Sequence, residues 1–282
     1  MIKSFNYSHY KKTKDHVMET KKKQLMTTTL TTPFIYYNKA ENISKEAQEF
    51  LDKANQAFEK QDIKATTELY KKAVDVSPES AHLLCNLGAV LAAQGAVNNG
   101  VHYLKLALEK DPKNPGALYN LGTLLLSHSV IDEAEKNLQQ ACDLDKKSAP
   151  ILNNLGIVML HKKEYAKAQE LFKQAIEVHP KFDYAIHNIG TSEYDQNNFE
   201  KAIEWFEKSL SINPQNFASL NDCACAEYLT GKTDKALDML HKAIAANPHY
   251  RMPYHNIGYI VYNENMLDKK PACAHGDSTC EC

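Results

Sequence analysis

Large apolar, small and polar residues recur along this chain with a period of thirty-four. Prolines stand at 78, 112, 180, 214 and 248, spaced by 34 or 68, with Lys146 in the skipped slot. That phase divides the chain into windows beginning at Ala47, Ala81, Pro115, Ala149, Asp183, Phe217 and Arg251, with no insertion. The fourth position of each window is large and apolar: Phe50, Leu84, Leu118, Leu152, Ile186, Leu220, Tyr254. The twenty-fourth is too: Tyr70, Leu104, Leu138, Phe172, Phe206, Leu240. The eighth position is small: Ala54, Gly88, Gly122, Gly156, Gly190, Ala224, Gly258. The twentieth and twenty-seventh are small as well, with Gly100 the one glycine at the twentieth.

Positions 4, 7, 8 and 11 share one helical face, and 20, 24 and 27 share another. Small residues at 8, 20 and 27 let two antiparallel helices approach closely, and the large ones at 4 and 24 fill the core between them. Proline near the window's end stops the second helix. Each window therefore predicts a helix–turn–helix hairpin that cannot bury its apolar faces alone and does so by stacking on its neighbours. Gly95 falls at the turn between two helices. The seventh window keeps its first helix, to about Leu267, and Pro271 breaks the second, so 251–267 is expected to act as a capping helix.

The units "AHLLCNLGAVLAAQGAVNNGVHYLKLALEKDPKN" and "DYAIHNIGTSEYDQNNFEKAIEWFEKSLSINPQN" resemble the tetratricopeptide repeat (TPR) family, over residues 47 to about 267. The resemblance implies an all-α fold, a right-handed α-solenoid of stacked antiparallel helix pairs. Its first helices would line a concave groove. Lys53 departs from the pattern, which usually has an apolar residue there. The segment "QGAVNNGVHYLKLALEKDP", which contains Gly100, is similar to the magnetosome-associated branch of the family. That similarity implies a scaffold on the cytosolic face of an intracellular membrane, forming homo-oligomers by inserting one protomer's N-terminal segment into a neighbour's groove.

Composition changes the picture little. The 282 residues are 43% hydrophobic and 24% charged, with a formal net charge of −2. Arg251 is the only arginine, and phosphate or guanine readout leans on that side chain; no nucleic-acid partner is expected. No apolar run is long enough for a transmembrane helix, and the lysine-bearing start lacks the apolar core of a secretory signal. Residues 1–46 carry nine lysines and four acids. They are expected to form a basic, mostly flexible segment, or else an arm for docking or self-association that uses Phe34, Ile35, Tyr36 and Tyr37. Lysine clusters also attract anionic surfaces, so peripheral membrane association is a further expectation. Seven cysteines, four of them inside helical patterns, fit a reducing compartment with no disulfide framework; a cytoplasmic location is expected.

Chemistry-bearing motifs are few. "TGKTD" at 230–234 has Ala226 where a phosphate loop needs glycine, and it lies between helices rather than after a strand. No catalytic constellation is found, so no enzyme activity and no cofactor are expected. The tail 268–282, expected to be flexible, holds Cys273, His275, Cys280 and Cys282, four candidate ligands for zinc or copper. Their spacing is not that of a common zinc module, and incidental or redox-active thiols are the alternative.

The partner is expected to be a protein or peptide. The sixth position reads Asp52, Asn86, Asn120, Asn154, Asn188, Asp222, Asn256. An asparagine amide both donates and accepts, so this ladder can pair with the backbone of an extended peptide without demanding one sequence. Alternatively it supports neighbouring helices. Tyr194, Tyr228 and Tyr262 at the twelfth position, with His187, Asn221 and His255 at the fifth, form a second candidate patch; inter-repeat packing is its alternative. Chaperone-binding TPR proteins clamp a terminal carboxylate with basic residues, and no lysine or arginine occupies the positions that clamp requires. The function expected is a non-catalytic scaffold binding extended peptides or other protomers. The alternatives are a regulator of an unrelated enzyme complex and a metal-carrying adaptor.

Overall fold

Side-chain caps start several of the helices. Ser44, Ser80, Asn114 and Asn216 each accept the backbone N–H three residues on, at 3.1, 3.4, 2.9 and 3.1 Å. Such a cap satisfies one of the four amides a helix start leaves unpaired, an effect of about 1 kcal/mol. The structure, a computed structural model, describes residues 18, 19, 21, 22, 25–28, 30, 34 and 43–268, with side chains to position 264. Among these residues there are helices and no strand. Residues 18, 19, 21 and 22 are helical, and they are followed by α1 Lys45–Glu59, α2 Ile63–Val76, α3 Ala81–Ala93, α4 Val97–Lys110, α5 Pro115–Ser127, α6 Ile131–Leu144 and α7 Ala149–His161. After them come α8 Tyr165–Val178, α9 Asp183–Asp195, α10 Phe199–Ile212, α11 Phe217–Leu229, α12 Thr233–Ala246 and α13 Met252–Asp268.

The first six windows each yield a first and a second helix, and the seventh yields its first helix among the described residues; the result is an all-α helical-repeat solenoid. The two helices of a window pack on one another (α1 on α2, α3 on α4, α5 on α6, α7 on α8, α11 on α12). Second helices also pack on the next first helix, as α2 does on α3 and α12 on α13. The chain divides into two compact units, residues 29–192 and residues 1–28 together with 193–282.

Burial follows the columns. The side chains at the twenty-fourth position, from Tyr70 to Leu240, are all buried, as are the alanines and Ser209 at the twenty-seventh. Burying one such leucine or phenylalanine contributes about 1.5–3 kcal/mol. The eighth-position glycines carry the close approach. A Cβ on Gly88 would lie 2.8 Å from Leu104 Cγ, on Gly122 2.7 Å from Leu138 Cγ, and on Gly156 2.5 Å from Phe172 Cε1. The small residue at position 8 is thus what lets the position-24 side chain of the same repeat seat against the first helix.

The fourth position fills the core only in the inner repeats. Phe50 is half-buried, under the ammonium groups of Lys53 and Lys72 at 5.8 and 6.0 Å. Tyr254 is 49% exposed, its hydroxyl donating to the Pro248 carbonyl at 3.1 Å. Among the described residues no repeat precedes α1 and no second helix follows α13, so neither side chain is covered on both sides there.

Candidate peptide-binding groove

Within each unit, the first helices of the repeats bring their fifth and sixth positions to one face. In the unit containing residues 193–282, α11 contributes Asn221 and Asp222, and α13 contributes Asn256; all three are fully buried. They orient one another. Asn256 Nδ2 donates to Asn221 Oδ1 at 2.9 Å, and Asn221 Nδ2 donates to Asp222 Oδ1 at 2.8 Å. Burial of such amides is tolerable only when they are paired, and the chain of bonds fixes which atom of each faces outward.

Those outward atoms hold a stretch of backbone from the same unit. Met26 N–H donates to Asn256 Oδ1 at 2.8 Å, and Met26 C=O accepts from Asn256 Nδ2 at 2.9 Å and from Asn221 Nδ2 at 2.8 Å. Cys225 Sγ adds a weaker donor to the same carbonyl at 3.6 Å. Burial pushes the Cys225 thiol well above its ordinary pKa, with the Asp222 carboxylate adding to the effect, so it stays a neutral donor. Two residues on, Thr28 N–H donates to Asp222 Oδ2 at 2.9 Å. Alternate residues of an extended chain face the same side. Successive sixth positions, Asn256 and Asp222, therefore read residues 26 and 28.

The unit of residues 29–192 repeats the device on its own. Leu30 N–H donates to Asn188 Oδ1 at 2.8 Å, and Leu30 C=O accepts from Asn188 Nδ2 and Asn153 Nδ2, both at 3.0 Å. Asn188 Nδ2 also reaches Asn153 Oδ1 at 2.9 Å. In both units a sixth-position asparagine pairs with the N–H and C=O of one residue, and the fifth-position asparagine of the preceding repeat adds a second donor to that carbonyl.

Side chains of the bound stretch are gripped as well. Leu25 is 7% exposed and sits in the core cluster with Tyr194, Phe199, Cys223 and Tyr228. Lys21 Nζ lies 4.6 Å from the centre of the Tyr228 ring, and Lys22 Nζ lies 5.4 Å from that of Tyr194, both within cation–π range. Lys22 Nζ also donates to the Asp195 carbonyl at the end of α9, at 2.8 Å, and to Asn197 Oδ1 at 2.9 Å. Partial burial lowers the Lys22 ammonium pKa, partly offset by the Asp195 and Glu19 carboxylates. Tyr194 and Tyr228 are each 2% exposed, and burial raises both phenol pKa values. They serve as ring faces.

The expected site residues thus fall into groups. Asn256, Tyr194 and Tyr228 gather around residues 21–28, and Asn188 pairs with Leu30. Asn120 donates to Cys85 Sγ at 3.3 Å, and Asn154 donates to Tyr119 Oη at 3.1 Å and Thr123 Oγ1 at 2.9 Å. These two amides tie each repeat to the one before it. Asn86 is buried in α3. His187 is buried, with its Nε2 3.4 Å from Thr191 Oγ1. His255 is exposed, and so is Tyr262, at 64%. Asn153 is missing from the sequence-based set, and the signal for it was present: an asparagine at position 5 beside the polar position 6, in "NN" at 153–154 and "ND" at 221–222. Cys273, His275, Cys280 and Cys282, and Ile35, Tyr36 and Tyr37, lie outside the described residues. Among those described, no cluster of three or more histidine, cysteine or acidic side chains could hold a metal, and no helix is long and apolar enough to cross a membrane.

Stacked helix pairs with a thirty-four-residue period, small residues at the crossing points and polar first-helix faces define a helical-repeat solenoid. The tetratricopeptide repeat family model matches residues 148–215, and the fold is that of solved tetratricopeptide repeat structures. It resembles the Cut9–Hcn1 hetero-tetramer of the APC/C, with a TM-score of 0.70 at 16% identity, over 77% of this chain and 43% of that one. The chain thus spans less than half the length of that structure. A tetratricopeptide repeat protein from Parabacteroides merdae matches with a TM-score of 0.65 at 20% identity, over 80% of this chain and 89% of its own. MamA matches with a TM-score of 0.50 at 24% identity, over 61% of this chain and 93% of its own. At these identities the likeness is one of fold. No curated protein matches the sequence.

Proposed function

We propose that this chain is a non-catalytic scaffold that holds extended polypeptide along its first-helix face, using asparagine side chains to pair with the backbone. The observation that carries the reading is the two-way bonding of Asn256 to Met26 N–H and C=O, repeated by Asn188 at Leu30. A side chain that both gives and takes a hydrogen bond satisfies one residue of a strand completely, as a neighbouring strand would. It does so without reading the side chain there.

A second copy's N-terminal segment offers the same backbone, so exchange of residues 18–30 between copies is the route by which such a scaffold would form homo-oligomers. The groove geometry does not depend on a magnetosome setting, which rests on the segment around Gly100.

A chain beginning at residue 43 keeps the Ser44 cap on α1 and vacates the groove. A labelled peptide of residues 18–34 should bind it saturably. Asn256→Ala should weaken that binding by about tenfold, the equivalent of one charge-free bidentate contact worth about 1.4 kcal/mol. A vacated chain that is helical by circular dichroism yet binds no peptide contradicts the reading.

A further inference from the structure

The backbone bonds at Met26 and Thr28 are blind to sequence, but the contacts just upstream are not. We infer that the groove in the unit of residues 193–264 selects segments of the form Lys-Lys-x-x-Leu, and that residues 21–25 of the same chain are its resident occupant, which a partner segment must match to displace. The inference rests on the proposed peptide-holding function and names the ligand class for that site.

Three side chains carry the selection. Lys21 lies against the Tyr228 ring at 4.6 Å and Lys22 against the Tyr194 ring at 5.4 Å. Tyr194 and Tyr228 are spaced by one repeat, thirty-four residues, and present ring faces whose negative quadrupole attracts a cation. Lys22 is read twice more, by the Asp195 carbonyl and by Asn197 Oδ1. An uncharged residue at that place would leave the helix-end carbonyl without its ammonium donor, and helix C-termini favour cations. Leu25 then enters the apolar cluster beside Tyr194 and Phe199. Its backbone N–H returns to the Lys22 carbonyl at 3.2 Å, and this turn sets the spacing between the lysine pair and the leucine. A charged or much larger side chain in the place of Leu25 would have to displace buried apolar neighbours. Met26, by contrast, is 45% exposed, and its side chain is not read.

The test uses the full chain carrying Met26→Pro. Proline removes the N–H given to Asn256 and cannot restore it, so the resident segment is released while the groove residues are untouched. A labelled peptide of residues 18–30 should bind this variant and bind the unaltered chain far less. In competition, the Met26→Ala peptide should displace the label as well as the native peptide does. The Lys21→Ala/Lys22→Ala peptide and the Leu25→Ala peptide should each need about tenfold more, as expected for losing contacts worth about 1.4 kcal/mol. A full chain carrying Lys21→Ala/Lys22→Ala provides a second released form that leaves the backbone unconstrained. If the Lys21→Ala/Lys22→Ala peptide and the Leu25→Ala peptide both compete like the native one, the selection is refuted while peptide holding stands. If neither folded variant binds the native peptide, both readings fall. If light scattering shows the unaltered chain to be a dimer that Met26→Pro converts to a monomer, the occupant belongs to a second copy, and the intrachain placement is overturned.

Discussion

The fifteenth position of the repeats turns the chain from first helix to second, and it does so through a left-handed backbone. Gly95 and Gly231 have φ of +79° and +88°, and at the same position Gln61, Ser129, Lys163 and Asn197 have φ of 59°, 59°, 60° and 66°. Glycine takes this conformation freely and asparagine takes it readily, whereas a long side chain is crowded there. Lys163→Gly should therefore stabilise the fold by about 0.5–1 kcal/mol in denaturant unfolding, the relief of left-handed strain less the entropy glycine loses on folding. Gly100, the irregular residue of the twentieth column, has a different cause. A Cβ there would lie 2.9 Å from Ala92 Cβ and 3.1 Å from the Ala92 backbone. Its partner is the twelfth position, where the other repeats carry residues from Phe58 to Tyr262. A column read singly shows the odd glycine but not the residue across from it. The same limit applies to the amides: the sixth-position ladder was legible, whereas Asn153 and Asn120 play opposite roles that only their partners reveal.

At the scale of the helix pair, one glycine column contains both a constraint and its absence. A Cβ on Gly88 in α3 would lie 2.8 Å from Leu104 Cγ, 3.0 Å from the Leu104 backbone nitrogen and 3.1 Å from the Gly100 carbonyl oxygen, atoms that cannot all withdraw. Gly258 in α13 occupies the same column, and a Cβ there would meet no side chain or other element within 4 Å among the described residues. Gly88→Ala should destabilise by about 1–3 kcal/mol through overpacking. Gly258→Ala should stabilise by about 0.5–1 kcal/mol, because alanine is the better helix former and meets no neighbour. Thermal melts of the two variants beside the unaltered chain separate the cases. Equal shifts of the same sign would mean that the column does not set helix approach. This contrast was legible in outline, since Pro271 made a second helix in the seventh window unexpected. The half-cover of Phe50 and the exposure of Tyr254 were not, because a repeating pattern says nothing about which copies lack a neighbour.

For the whole molecule, periodicity alone gave the fold, as thirty-four residues and their small and large columns determine the hairpin and its stacking. The site is another matter. Residues 18–30 lie outside the repeat phase, and their composition reads as a basic tail. Nothing in their own sequence says that Leu25 joins a core or that Lys21 and Lys22 meet tyrosine rings; those facts belong to the surface that receives them. The direct measurement is hydrogen exchange by mass spectrometry on the full chain, over fragments that cover residues 25–30. The amides of Met26, Thr28 and Leu30 each donate to a groove side chain. They should exchange about a hundredfold more slowly than in an unstructured peptide, an opening cost of about 2.7 kcal/mol. Protection at Met26 should collapse in Asn256→Ala while the helices keep theirs. Exchange of these amides at unstructured-peptide rates in the unaltered chain would contradict the account.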